Sequence, residues 1–186
     1  MEKILIITGS APCVVEDIEA ALSLVAVSRS LAPDPRSLTP DFMSIGLSSI
    51  DKHLHHIKYM ATYHPFDIPE AKKRREAAGG NTDYLVISHE RKPGVDILEP
   101  FTPPTGSSSH LGALAAIRLG YKKIILCGCP MTGDCPTHKG NKYETFRAGW
   151  TAKINILKPY VRSMSGWTRE LLGAPTEEWI KKAEGV

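Results

Sequence analysis

The chain has 186 residues, 42% of them hydrophobic, enough for one domain with a real core and too few for two comfortable ones. Its 23 basic and 20 acidic residues leave a formal charge of only +3, too mild to argue for nucleic-acid binding, so nucleic acid enters only as a conceivable acceptor. No apolar run reaches membrane-span length, no signal-peptide pattern opens the chain, and four cysteines fit reduced thiols, so the expectation is a cytoplasmic protein in which homo-oligomerisation stays open.

Residues 3–7 form an apolar run that reads as a first strand and leads straight into Thr8, Gly9, Ser10, Ala11 and Pro12. A helix is predicted from about Val14, with Val15, Ile18, Ala21 and Leu22 on one face. Pro33, Pro35 and Pro40 make residues 30–41 a loop. Residues 42–45 read as a short strand closed by Gly46, residues 47–54 as a short helix, and residues 57–62 as a strand ending at Tyr63, His64 and Pro65. An exposed basic helix is expected over 68–78, carrying Lys72, Lys73, Arg74 and Arg75. A further strand follows at 84–87, then a proline-rich irregular segment at 91–104, and loops of that length are often functional.

Residues 105–133 carry the clearest signal. A Gly/Ser loop containing Gly106, Ser107, Ser108 and Ser109 precedes Leu111, Leu114, Ala115 and Leu119 at helical spacing, and Gly120 supplies a stop. Ile124, Ile125, Leu126 and Cys127 then form a short apolar run suited to a strand covered on both faces. Gly128 opens a second polar loop. Helices are predicted over 143–157 and 176–183, with Trp150, Trp167 and Trp179 as core or interface anchors. Strands alternating with helices imply one α/β, Rossmann-like domain over residues 1–186, with a mostly parallel sheet and helices on both faces.

In such a sheet ligands collect at the carboxyl ends of the strands. A Gly-Ser helix start adds amides and hydroxyls at the positive end of a helix dipole, which favours phosphate or carboxylate. The candidate nucleotide-binding residues are therefore Gly9, Ser10, Ala11, Pro12, Gly106, Ser107, Ser108 and Gly128, although the serines read equally as helix caps and Gly9 to Pro12 equally as a plain turn. Neither a Walker loop nor a dinucleotide fingerprint is present. His110 in the first turn of the central helix, His138 on the loop 132–142 and Tyr143 beside it are the candidate catalytic residues, and His64 follows a strand toward the same edge. Cys127, Cys129, Cys135 and His138 have some zinc-ligand character, but Cys127 lies in an apolar strand and Cys127-x-Cys129 is tight, so no metal site is assigned.

Gly9-Ser10-Ala11-Pro12, the strand end Ala61-Thr62-Tyr63-His64-Pro65, Gly106-Ser107-Ser108, Leu119 to Ile124 and the tail Ser163 to Gly173 resemble a phage and prophage family of morphogenetic-type proteins, over most of the chain. Gly9 to Pro12, Gly106 to Ser108 and Leu119 to Gly128 more distantly resemble a Rossmann-like superfamily that includes 6-hydroxymethylpterin diphosphokinases and single-domain bacterial sialyltransferases. That resemblance implies a nucleotide flanked by these loops and a glycosyltransferase-like transfer from a sugar nucleotide without bound metal. A pyrophosphokinase-like transfer from ATP is the alternative that would need Mg²⁺, with Asp134 and Glu144 as the nearby carboxylates. A non-catalytic phage accessory protein that keeps the fold is the other, in the host cytoplasm if phage-encoded. Ser10 and Gly46 stand where the sialyltransferases usually carry an Asn, and Cys129-Pro130-Met131 where the enzymes commonly carry an acidic residue.

Overall fold

The computed structural model describes residues 3–30, 39–47, 56–100, 107–132 and 142–182. Among these residues seven strands form one wholly parallel sheet: β1 (Ile4–Thr8), β2 (Asp41–Ile45), β3 (Tyr59–Thr62), β4 (Leu85–Ser88), β5 (Ile97–Leu98), β6 (Lys123–Cys127) and β7 (Val161–Ser163). Their spatial order is β5-β4-β3-β2-β1-β6-β7. The chain thus winds outward from β1 to β5, returns to lay β6 against the other side of β1, and leaves a topological switch point between them. This is the α/β, Rossmann-like architecture with helices on both faces.

Each element follows from its residues. All five residues of β1 and of β6 are buried, as expected of central parallel strands covered twice. On one face lie α1 (Val14–Ser30), α2 (Ile68–Ala77) and α7 (Glu177–Lys181), packed over Ile4, Ile6, Ile125 and Val86. On the other lie α3 (Ser108–Arg118), α4 (Lys142–Ala152), α5 (Ile154–Leu157) and α6 (Gly166–Leu172), whose Ala113, Ala116, Trp150, Leu157 and Leu172 join Leu5, Ile7 and Leu126. Each Ile or Leu so buried contributes about 1.5–3 kcal/mol relative to an exposed one. Gly112 brings α3 close to the sheet, because a Cβ there would sit 2.8 Å from Met43 Sδ and 3.1 Å from Ala61 Cβ.

Several expectations need correction. The buried stripe of α1 is Val14, Ile18, Ala21 and Val25, so Leu22, one helical step away, is exposed. The basic helix α2 is not solvated all round. Arg75 is 1% exposed, folded beneath Gly80, and donates from Nε to the Asn81 carbonyl (2.9 Å) and from Nη2 to Asn81 Oδ1 (3.0 Å). The irregular segment at 91–104 contains β5, and the predicted helix over 143–157 is two helices stepped at Lys153, whose φ of −111° and ψ of 12° leave the helical region. The loop 30–41 and the predicted helix at 47–54 lie largely outside the described residues.

The amino-terminal edge of the sheet is closed by a polar cluster. Tyr121 Oη donates to Asp41 Oδ2, and Lys58 Nζ bridges to the same oxygen at 2.7 Å. Burial, then the bond to Asp41, pushes the Tyr121 phenol up. The opposite, carboxyl edge is where the loops with Gly, Ser and His gather.

Candidate functional site at the switch point

Gly9 and Gly128 leave β1 and β6 side by side, and their loops are laced together. The Gly9 N–H donates to the Cys127 carbonyl (2.8 Å) and the Ala11 N–H to the Gly128 carbonyl (3.2 Å). A Cβ on Gly9 would lie 2.2 Å from the Gly128 oxygen and 2.7 Å from Cys129 Sγ. Glycine is thus required here by the neighbouring backbone, before any ligand is considered. With two amides engaged and Pro12 carrying none, the polar side chain this loop offers is that of Ser10, half-buried beside the exposed Pro12.

Sequence reasoning missed the residue that holds the edge together. Asp17, in the first turn of α1 and 8% exposed, accepts from the Gly128 N–H (2.8 Å), Ser165 Oγ (2.7 Å) and Cys13 Sγ (3.6 Å) through one carboxylate oxygen. It thereby ties the loops after β1, β6 and β7 to one point, and its charge suits the positive end of α1. Burial, and to a lesser degree the Asp17 carboxylate, pushes the Cys13 thiol up, so it donates as a neutral group. An acid in a helix's first turn was visible in the sequence; its partners, 111 and 148 residues away, were not.

The loop after β6 is clamped from above. Met131 has a φ of 52°, a conformation that costs a non-glycine residue on the order of 1 kcal/mol or more and clusters at functional sites. Arg147 of α4 holds it, donating from Nε (3.0 Å) and Nη2 (2.7 Å) to the Met131 carbonyl, with its guanidinium over the Trp167 ring. Thr168 Oγ1 donates to the Cys129 carbonyl at 2.8 Å. Cys127 and Cys129 are buried, and burial pushes both thiols up, Cys129 to about 12, so both stay protonated at neutral pH.

The first turn of α3 covers this crevice. Ser107 Oγ caps the helix, accepting from the His110 N–H at 3.3 Å, and meets Ser109 Oγ at 3.0 Å. Ser109 lies beside the Cys129 thiol, while Ser108 Oγ accepts from the Tyr63 N–H at 3.0 Å. One helical turn therefore touches both the end of β6 and the end of β3. Capping accounts for Ser107, and the remaining first-turn amides head the helix as its dipole requires.

His110 does not open into the crevice. It is 1% exposed, its ring 4.9 Å from that of Trp150, and burial, then Lys153, pushes its pKa down to about 4. At neutral pH it is an uncharged ring in the floor. Tyr143 lies in the first turn of α4, edge-on to Phe146 at 6.3 Å, on the helix whose Arg147 clamps Met131. His64 is exposed after β3, with its ring beside Phe66. Gly106 and His138 lie outside the described residues, as do Cys135 and Asp134; among the described residues no group of three or more His, Cys, Asp or Glu is arranged to hold a metal ion.

No helix among the described residues is long and apolar enough to cross a membrane. No family model matches the chain and no curated protein matches it, so the expected phage morphogenetic-type family finds no support. Solved structures do match. The sialyltransferase CstII from Campylobacter jejuni in complex with cytidine-5'-monophosphate matches over 100% of this chain and 88% of its own, with a TM-score of 0.56 and 14% identity. The same enzyme with CMP-3FNeuAc matches over 95% of this chain and 88% of its own, with a TM-score of 0.57 and 14% identity. The chain therefore shares the Rossmann-like fold of these structures.

Proposed function

We propose that this protein is a nucleotide-dependent, glycosyltransferase-like enzyme that uses a sugar nucleotide of the CMP-sugar kind as donor. The observation that carries the reading is the end-to-end likeness to a sialyltransferase solved with CMP and CMP-3FNeuAc. The switch point between β1 and β6, where open parallel sheets take their ligands, supports it.

In this reading Ser10, Gly106, Ser107 and Ser108 border the nucleotide, with the phosphate at the head of α3. Gly9, Ala11 and Gly128 act through the backbone lacing that shapes the floor, and Pro12 follows in the same loop. Transfer breaks the bond between the anomeric carbon and the phosphate oxygen, and the electron pair leaves with the nucleotide. The acceptor oxygen bonds the anomeric carbon, and its proton passes to a base. His138 is the proposed base and Tyr143 the proposed donor to the leaving phosphate; His110, buried and uncharged, supports the floor instead.

The test is turnover of CMP-N-acetylneuraminic acid, followed by release of CMP with and without EDTA. Release that survives EDTA and falls by about 10²-fold or more in His138→Ala, the scale of a lost acid–base group, supports the reading. No release alongside no CMP binding would leave a protein that keeps the fold without the activity, and release that requires Mg²⁺ would favour the ATP-type alternative.

A further inference from the structure

At the ends of β3 and β4, beyond the switch point, the rings of Tyr63 and His89 stack with centroids 4.3 Å apart and planes 21° from parallel. Tyr63 is buried against Leu111 of α3, which fixes the lower ring of the stack. His89 is half-buried. Its Nδ1 is enclosed and has no hydrogen-bond partner among the described residues, which leaves Nε2 as the nitrogen able to meet a ligand.

The pair is joined to the nucleotide crevice by the first turn of α3. Ser108 holds the Tyr63 N–H at 3.0 Å, and Ser109, one residue on, lies beside the Cys129 thiol just after β6. A group bound over His89 thus lies across one helical turn from a group bound over Gly128. The strand ends themselves, Thr62-Tyr63-His64 and Ser88-His89-Glu90, carry no Lys or Arg, and Glu90 pairs with Lys92 at 3.7 Å. Flat ring surface and one imidazole nitrogen, with the neighbouring Lys92 paired to Glu90, are poor equipment for a phosphate. They suit a sugar, which offers a C–H face to an aromatic surface and hydroxyls to a hydrogen-bonding tip.

We propose that the Tyr63–His89 pair is the acceptor subsite, taking an uncharged sugar ring with one hydroxyl hydrogen-bonded to His89 Nε2. The proposal rests on the transferase reading and adds to it the side from which the acceptor enters.

The test uses the full chain with ¹³C-labelled histidine, the methyl β-glycosides of galactose, glucose and mannose as probes, and CMP as a separate arm. His89→Phe keeps a ring on Tyr63, removes both nitrogens and identifies the His89 resonance by its loss. At least one glycoside is expected to move the His89 resonance, and CMP is expected to leave it in place. His89→Phe should raise the KM for that glycoside about tenfold, the equivalent of about 1.4 kcal/mol, with the CMP dissociation constant held within about twofold. A His89 resonance unmoved by all three glycosides, one that moves with CMP instead, or an unchanged KM in His89→Phe would overturn the subsite. A glycoside shift at His89 in a protein that binds no CMP would support the subsite and overturn the transferase reading.

Discussion

Asp17→Ala lowers the unfolding free energy by about 3 kcal/mol, because it leaves the buried Gly128 N–H and the Ser165 hydroxyl without their charged acceptor. Asp17→Asn keeps one carbonyl oxygen in place but turns an amide toward donors, and it costs about 1–2 kcal/mol. In a domain of this size the alanine variant melts about 6–12 °C lower. Urea unfolding reads the effect as a lower midpoint at unchanged slope. The loss should reach binding too, since the loops after β1, β6 and β7 are held to one another through this carboxylate. An alanine variant within about 0.5 kcal/mol of the parent, the range of ordinary surface changes, would show that the three loops hold their places without it.

Acid weakens the fold through His110. Its pKa is about 4 in the folded protein against 6.5 ordinarily, so between those values the unfolded chain binds the proton and the native state does not. The stability this contributes is complete above pH 6.5 and is lost as pH falls from 6.5 toward 4. The loss amounts to about 3 kcal/mol at roughly 1.4 kcal/mol per unit. His110→Phe keeps an aromatic ring against Trp150 and removes the titration. The expected result is a stability–pH profile flatter by that amount over this interval, whatever the variant's absolute stability at neutral pH. Parallel profiles would show that His110 gains access to solvent or a proton acceptor in the native state.

Much of the fold was legible because buried parallel strands announce themselves as short apolar runs. Residues 3–7, 42–45, 57–62, 84–87 and 124–127 each mark a strand to within two residues. Gly106 to Gly120 announced α3 and its Ser107 cap in the same way. β5 and β7 were not legible: two and three residues are too few to show a period, and both are defined by their neighbours' hydrogen bonds. Arg75 sits in a run of four cations, and nothing in that run separates the one that folds inward from the three that do not.

The site divided along a similar line. Local features carried Ser107 and the two glycine-containing loops, whereas the arrangement that fixes them depends on contacts across most of the chain. Asp17 with Gly128 and Ser165, Arg147 with Met131, and Tyr63 with His89 all join separate elements. Gly9 reads in the sequence as part of a turn or a nucleotide loop, but the reason for glycine there is the Gly128 oxygen, which no local reading contains. His110 was placed on the right helix turn, and the burial that makes it an uncharged ring came from Trp150, forty residues later.

The central claim is that a nucleotide binds over the switch point between β1 and β6, and amide chemical-shift mapping of the ¹⁵N-labelled protein during a CMP titration tests it most directly. The account predicts saturable shifts gathered at Ser10, Ser107 to Ser109, Gly128 to Met131 and Ser165. Shifts gathered at the amino-terminal edge around Asp41, Lys58 and Tyr121, or no saturable shift anywhere, would contradict it.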